Sequence, residues 1–225
     1  MIVGNGLIAS SFIGLNNHED CLIFASGVSD SNETSLKEFN RERVLLLNSL
    51  KQNKELKFIY FSSILVGISN NEYYNHKMEM ENIIKDMSNN YIIFRVPQII
   101  GVDGNKNNLI KTLANSIKTN TEIIVYKDVD RSLVDVEDIV RIVDYCKDKI
   151  VSQIVYFSDI EKINVIDLCY HIGTYLNKEP ILDIKNNPDI KNWYVNNSEI
   201  IDKAIYSLKI NKEGYTYKVI KKYIK

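Results

Sequence analysis

The chain has 225 residues, 45% hydrophobic and 25% charged, enough to bury a full core and too few for two complete domains. Its 28 basic and 29 acidic residues are mixed along the whole length and leave a formal charge of −1, so no basic field is offered to nucleic acid or to an anionic membrane. No apolar run approaches the roughly 20 residues of a membrane helix, and the first glycine arrives before a signal-peptide pattern could develop, so the expectation is a soluble cytoplasmic protein.

MIV predicts a short first strand, and MIVGNGLIASSF sets Gly4, Gly6 and Ala9 as GxGxxA between that strand and a helix. Gly4 permits a tight turn, Gly6 lets a backbone approach a pyrophosphate, and the amides at the helix start, Leu7 and Ile8 among them, supply donors to it. A ligand-free turn would use the same glycines, so the motif does not decide by itself. CLIFAS predicts the next strand. Leu36 to Lys54 then carries Phe39, Val44, Leu45, Leu47 and Leu50 at helical spacings. KFIYFS is a strand ending in Ser62 and Ser63, and Asn71 to Met87 is a second amphipathic helix. YIIFRV, EIIVY and QIVYF are further strands, and Asn164, with Asp167 three residues on, opens a helix that runs to the turn at Asn177 to Pro180. Strands alternating with helices argue for a parallel α/β sheet. Cys21, Cys146 and Cys169 lie in or beside apolar runs without CxxC spacing and read as reduced core residues. His18, His76 and His171 lack paired ligand spacing, so no metal site is implied, and His76 reads as a surface or rim residue.

Chemistry concentrates between Ser62 and Lys77. Tyr73 and Lys77 are four apart and share a helix face. A phenol with an ordinary pKa near ~10 is a poor acid-base catalyst at neutral pH, and an adjacent ammonium would bring that value down. A hydroxyl at the preceding strand end can hold a substrate oxygen against the phenol, which gives a proton-transfer site for a carbonyl or an alcohol. Each part has a plainer use: the serines could end a strand, Tyr73 could start a helix, and Arg131 could be a surface ion pair. Their order along the chain favours a site.

With these residues in place the sequence resembles the extended short-chain dehydrogenase/reductase family, the NAD-dependent epimerase/dehydratase type that modifies nucleotide sugars. The resemblance runs nearly end to end. It implies Ser63, Tyr73 and Lys77 as the catalytic set, with Ser62 the alternative to Ser63, and NAD or NADP as cofactor. FASGVSD resembles the family's fourth strand, placing Ala25, Ser26 and Gly27 along the cofactor, and the following helix supplies Asn40. FRVPQIIG resembles the sixth strand, placing Val96 and Pro97 beside the nicotinamide, where Lys77 would also reach the ribose. NNLI points to Asn107 or Asn108 as a contact to the substrate nucleotide. RSLVDVEDI makes Arg131 the ligand of its diphosphate.

The sequence also departs from the family. The short span from Ala9 to Cys21 leaves no room for the second and third strands, so the first strand should lie at or near the sheet edge and the adenosine pocket should be open. The reverse assignment, with CLIFAS as the second strand, fits Asn40 and its helix less well. Only 10 residues separate Ser63 from Tyr73, a shortened loop, and Val66 replaces a family tyrosine. The expected architecture is thus a Rossmann-type α/β fold lacking about two strands, with residues 1–158 as the dinucleotide domain and 159–225, with an insert near 102–120, as a small interleaved substrate-binding portion. The expected activity is NAD(P)-dependent reduction of a nucleotide-linked 4-keto-6-deoxy sugar in surface polysaccharide biosynthesis, because Ile64 and Leu65 stand where dehydratases carry an Asp-Glu pair. An epimerase, or a non-catalytic relative that binds a nucleotide or a partner protein, is the alternative. A homodimer through the helices at Leu36–Lys54 and Asn71–Met87 is the expected assembly.

Overall fold

The computed structural model describes residues 1–13, 19–102, 109–186 and 195–224. In chain order it begins with β1 (Ile2–Val3), α1 (Leu7–Phe12), β2 (Cys21–Phe24), α2 (Leu36–Gln52), β3 (Lys57–Ser63) and α3 (Glu72–Met87). There follow β4 (Tyr91–Val96), β5 (Gln98–Ile100), α4 (Leu109–Lys118), β6 (Ile123–Tyr126), β7 (Asp130–Asp135) and α5 (Val136–Lys147). The chain closes with β8 (Gln153–Tyr156), β9 (Lys162–Asn164), α6 (Val165–Leu176), β10 (Leu182–Lys185), α7 (Glu199–Ser207) and α8 (Tyr215–Tyr223).

The main sheet has the order β1-β2-β3-β4-β8, every pair parallel. Strand alternation divides the core in two. Leu22, Phe24, Phe58, Tyr60 and Ile93 pack against Leu46 and Leu50 of α2 and Met80 and Ile84 of α3. Ile23, Ile59, Phe61, Ile92 and Phe94 face the other way, toward Phe12 of α1 and Ile139, Ile142 and Val143 of α5. Burial on both faces explains why these strands read as unbroken apolar runs. Because β2 lies between β1 and β3, CLIFAS cannot be the second strand of the longer fold, and β1 is the sheet edge among the described residues.

The β2-α2-β3 and β3-α3-β4 crossovers step across the sheet with their helices on one face. The β1-α1-β2 connection steps the same way with its helix on the opposite face, so its hand is opposite to the two that follow. Parallel crossovers share one hand in about 98% of cases. The turns after β1 and β2 lie at the carboxyl ends of the strands, the end of an α/β sheet at which ligands bind.

EIIVY corrects the single-sheet expectation. β6 lies outside the main sheet and pairs in parallel with β10, because it alternates: Ile123 and Val125 are buried while Ile124 and Tyr126 are exposed. A third sheet, β5-β7-β9, was not legible in advance, its outer strands having three residues each. Asn164 caps α6 as expected, accepting from Ile166 N at 2.9 Å, and Asn177 ends that helix at φ 51°, while Asn71 proves to be the cap of α3 and not its first residue, accepting from Tyr74 N at 2.9 Å. The three cysteines are free and buried, and burial pushes their thiols up, to about 11 for Cys21 and Cys169 and about 12 for Cys146, so they stay unreactive. Among the described residues no helix is long and apolar enough to cross a membrane.

Candidate active site

The site begins at the glycine turn. Gly4 has φ +131°, and a Cβ there would lie 2.4 Å from the Ala25 carbonyl oxygen, so the turns after β1 and β2 touch through a position that only glycine can fill. Gly6 is different. A Cβ on it would meet nothing within 4 Å, and no side chain caps the helix start there. Ala25, Ser26 and Gly27 form the facing turn, and Arg41 of α2 holds the Ser26 carbonyl at 3.2 Å. Asn40, by contrast, is exposed on α2; the α2 side chains that reach this turn are Arg41 and Glu42. Val96 and Pro97 close β4 beside Ile64, whose amide donates to the Val96 carbonyl at 3.1 Å.

The two serines at the end of β3 divide by strand alternation. Ser62 is buried and donates to Glu81 Oε1 at 2.6 Å, while Glu81 also takes a two-pronged bond from Arg95 at 2.9 and 2.6 Å. This ties α3 to β3 and β4. Ser62 is therefore committed to the scaffold, and Ser63 remains as the half-buried strand-end hydroxyl, its oxygen accepting from the Leu65 amide at 3.3 Å and, among the described residues, from no other group.

The first turns of α3 bring up Tyr73 and Lys77, and the Lys77 Nζ lies 5.7 Å from the centre of the Tyr73 ring. Its hydrogen bonds go elsewhere. Lys77 is 2% exposed and donates to Glu42 Oε1 at 3.2 Å and Tyr60 Oη at 3.1 Å. Glu42, fully buried, also accepts from Tyr60 Oη at 2.7 Å, the Val28 amide at 2.7 Å and His76 Nε2 at 3.0 Å. Burial alone would raise its pKa; the Lys77 charge, then the bonds from His76, Val28 and Tyr60, bring it down to about 2. A Cβ on Gly27 would stand 2.5 Å from Lys77 Nζ, so a side chain there would push the end of the lysine aside.

Two expectations change. His76 is not a rim residue: it is 4% exposed, stacks on Phe39 with ring centres 4.6 Å apart, and its Nδ1 is buried without a partner. Nor does Lys77 draw the Tyr73 phenol down. Burial, then the Glu42 and Asp30 charges, hold Tyr73 well above the usual phenol range. The signal for Glu42 was present in the sequence: it occupies a position on the buried stripe of α2 between Phe39 and Leu46.

Arg131 is exposed on β7, and its recorded hydrogen bond is to the adjacent Asp130 carbonyl at 3.1 Å; among the described residues it has no carboxylate partner. Asn107, Asn108 and His18 lie outside the described residues. No cluster of three or more His, Cys, Asp or Glu side chains that could hold a metal is found among the described residues.

The model of the NAD-dependent epimerase/dehydratase family matches residues 25–156, more than half of the chain. The chain belongs to this family. The match spans Ser63, Tyr73, Lys77 and Arg131 and leaves the Gly4–Ala9 turn outside it. No curated protein matches the sequence. Solved members of similar fold are longer. The UDP-N-acetylglucosamine 4-epimerase of Methanobrevibacter ruminantium M1, in complex with UDP-N-acetylmuramic acid, has TM-score 0.70 and 14% identity over 90% of this chain and 74% of its own. The dTDP-glucose 4,6-dehydratase of Bacillus anthracis, in complex with NAD, gives 0.68 and 14% over 90% and 70%. The dTDP-4-dehydrorhamnose reductase of the same organism, in complex with NADP, gives 0.62 and 19% over 75% and 66%. At these identities the likeness establishes the Rossmann-type fold that the family shares.

Proposed function

We propose that the chain is an NAD(P)-dependent reductase of a nucleotide-linked sugar, with a 4-keto-6-deoxy sugar as substrate, serving surface polysaccharide synthesis in the cytoplasm. The observation that carries this reading is the site at the end of β3 and the start of α3. Ser63 is left open, Tyr73 and Lys77 share one helix face, and two apolar residues, Ile64 and Leu65, follow the serine where eliminating enzymes need a carboxyl pair.

The glycine turn suits a dinucleotide. Gly6 faces open space next to amides of Leu7 and Ile8 that no side chain caps, which suit the pyrophosphate, while Ala25, Ser26, Gly27, Val96 and Pro97 would lie along the rest of the cofactor as the family resemblance implies. Bound NADH or NADPH would supply the hydride. Ser63 Oγ donates to the sugar carbonyl oxygen and orients it, and Tyr73 gives that oxygen its phenolic proton. Arg131, lacking a carboxylate partner among the described residues, takes the substrate diphosphate with its two-pronged guanidinium. Asn107 or Asn108 contacts the nucleotide. In this reading residues 102–120 and 159–225 form the substrate-binding portion, and two copies associate through α2 and α3.

Replacement of Tyr73 by Phe tests the reaction. It removes the proton donor and little volume, so turnover of a nucleotide-linked keto sugar should fall by about 10²- to 10⁴-fold while calorimetric binding of the nucleotide sugar is unchanged. Unchanged turnover would overturn the mechanism, and silence of both Tyr73→Phe and Lys77→Met would favour the non-catalytic binding protein.

A further inference from the structure

Arg41 reaches from the second turn of α2 back to the turn that follows β2. Its Nη1 donates to the Ser26 carbonyl at 3.2 Å and to Ser26 Oγ at 3.3 Å, its Nη2 to the same carbonyl at 3.3 Å, and its Nε to Glu38 Oε2 at 2.9 Å. Hydrogen bonds to a guanidinium lie in its plane, so these four fix the group by its edges and leave its flat faces for other partners. The side chain keeps 44% of its surface exposed, and among the described residues no aromatic ring lies against it. An exposed ion pair adds little to stability, so folding alone does not explain the fixed posture of so long a side chain.

Its place in the fold supplies a reason. A Cβ on Gly4 would lie 2.4 Å from the Ala25 carbonyl oxygen and 3.0 Å from the Ser26 amide nitrogen, so the glycine turn and the turn on which Arg41 rests are in contact. Both stand at the carboxyl end of the sheet, and beyond β1 no further strand is found among the described residues. A pyrophosphate on the Leu7 and Ile8 amides would leave the adenosine half of its dinucleotide at a margin with no strand to cover the base. A purine needs a flat surface, and a fixed guanidinium beside the glycine turn is one. Resting on the dinucleotide reading above, we propose that Arg41 is a cofactor-binding residue: its guanidinium, held edge-on by Ser26 and Glu38, stacks on the adenine ring and supplies part of the wall that further strands would give. Stacking of a planar cation on a base is favourable whatever the ribose carries. The Glu38 carboxylate offsets the guanidinium charge and repels a further anion, so Arg41 does not select a 2′-phosphate. One covered face accords with weak affinity and little discrimination between NAD(H) and NADP(H).

The test is calorimetric titration of NADH, NADPH, AMP and nicotinamide mononucleotide into the parent, Arg41→Ala and Arg41→Lys. Arg41→Ala should weaken NADH, NADPH and AMP by one common factor, about 3- to 30-fold, and leave nicotinamide mononucleotide, which has no adenine, unchanged. Arg41→Lys keeps the charge and can still tether the Ser26 carbonyl but lacks the plane, so it should lose nearly as much. Because the side chain is exposed, both variants should melt like the parent. Binding of NADH that survives Arg41→Ala intact overturns the inference. So does full rescue by lysine, which would make the contact one of charge, or a loss confined to NADPH, which would put the 2′-phosphate on Arg41. An equal loss of nicotinamide mononucleotide overturns it too, because the defect would then lie in the turn and not under the base. A parent that binds none of the four sinks the dinucleotide reading itself and this inference with it, whereas a parent that binds NADH no better than Arg41→Ala does sinks the role of Arg41 alone.

Discussion

Two glycines of one motif carry separable burdens. At Gly4 an added methyl would meet the Ala25 carbonyl at 2.4 Å with φ at +131°, whereas at Gly6 it would point into open space. Gly4→Ala should therefore cost about 1–3 kcal/mol in strain, more if the Ala25 turn cannot retreat, and lower the melting temperature. Gly6→Ala should melt like the parent yet bind dinucleotide more weakly, since the methyl enters the space the pyrophosphate needs. Thermal melts beside dinucleotide titrations check both, and equal binding by Gly6→Ala would remove the pyrophosphate from this turn. At this scale the placement of Tyr73 and Lys77 on one face of α3 was legible, because it depends only on spacing along one helix. Glu42 and His76 were overlooked: the position of Glu42 on the buried stripe of α2 was visible, but a periodicity reading counts apolar positions and passes over a charge among them, and the contact with His76 joins two helices.

Helices α2 and α3 lie side by side on one face of the sheet, joined by Arg43 and Glu79 at 2.6 Å, and their outer surfaces expose Val44 and Met78. If two copies meet there, Val44→Glu with Met78→Glu should convert a dimer to a monomer in light scattering with little change in melting of the chain itself. A parent that is monomeric at micromolar concentration would count against the association. These helices were legible because each is long and has one buried stripe, and the central strands because they are apolar on both faces. The small strands were not. β9 and β10 are short and partly exposed, with no alternation to detect, and β6 looked like a central strand only because its outward residues, Ile124 and Tyr126, are themselves apolar.

The whole molecule is set by where its sheet stops. With β1 at the edge, the adenine end of a bound dinucleotide lacks the wall that further strands would provide. Leaving on the order of 100 Å² of apolar surface uncovered at ~25 cal/mol per Å² costs about 2.5 kcal/mol, roughly 10- to 100-fold in affinity. Calorimetry should thus give weak and similar constants for NAD(H) and NADP(H), since among the described residues there is no strand end of the kind that ordinarily reads the adenosine ribose. Tight, NADP-selective binding would show that another segment or a second copy rebuilds the pocket. The edge position of β1 followed from the length between Ala9 and Cys21 alone. The reversed crossover did not, because the side of the sheet on which α1 packs depends on Phe12 meeting Phe61, a contact between distant residues.

That reversed crossover bears on how the chain could be altered. A helix placed on the far face before a strand on the near side is what remains when a detour is cut out and its two ends are joined directly. Chain added between α1 and β2 would enter next to β1, the edge strand among the described residues. A strand-helix-strand segment spliced in at that point would extend the sheet outward from β1 and let each crossover take the common hand. The fold thus carries its own insertion point, at the margin where the adenosine end of the cofactor would gain its wall.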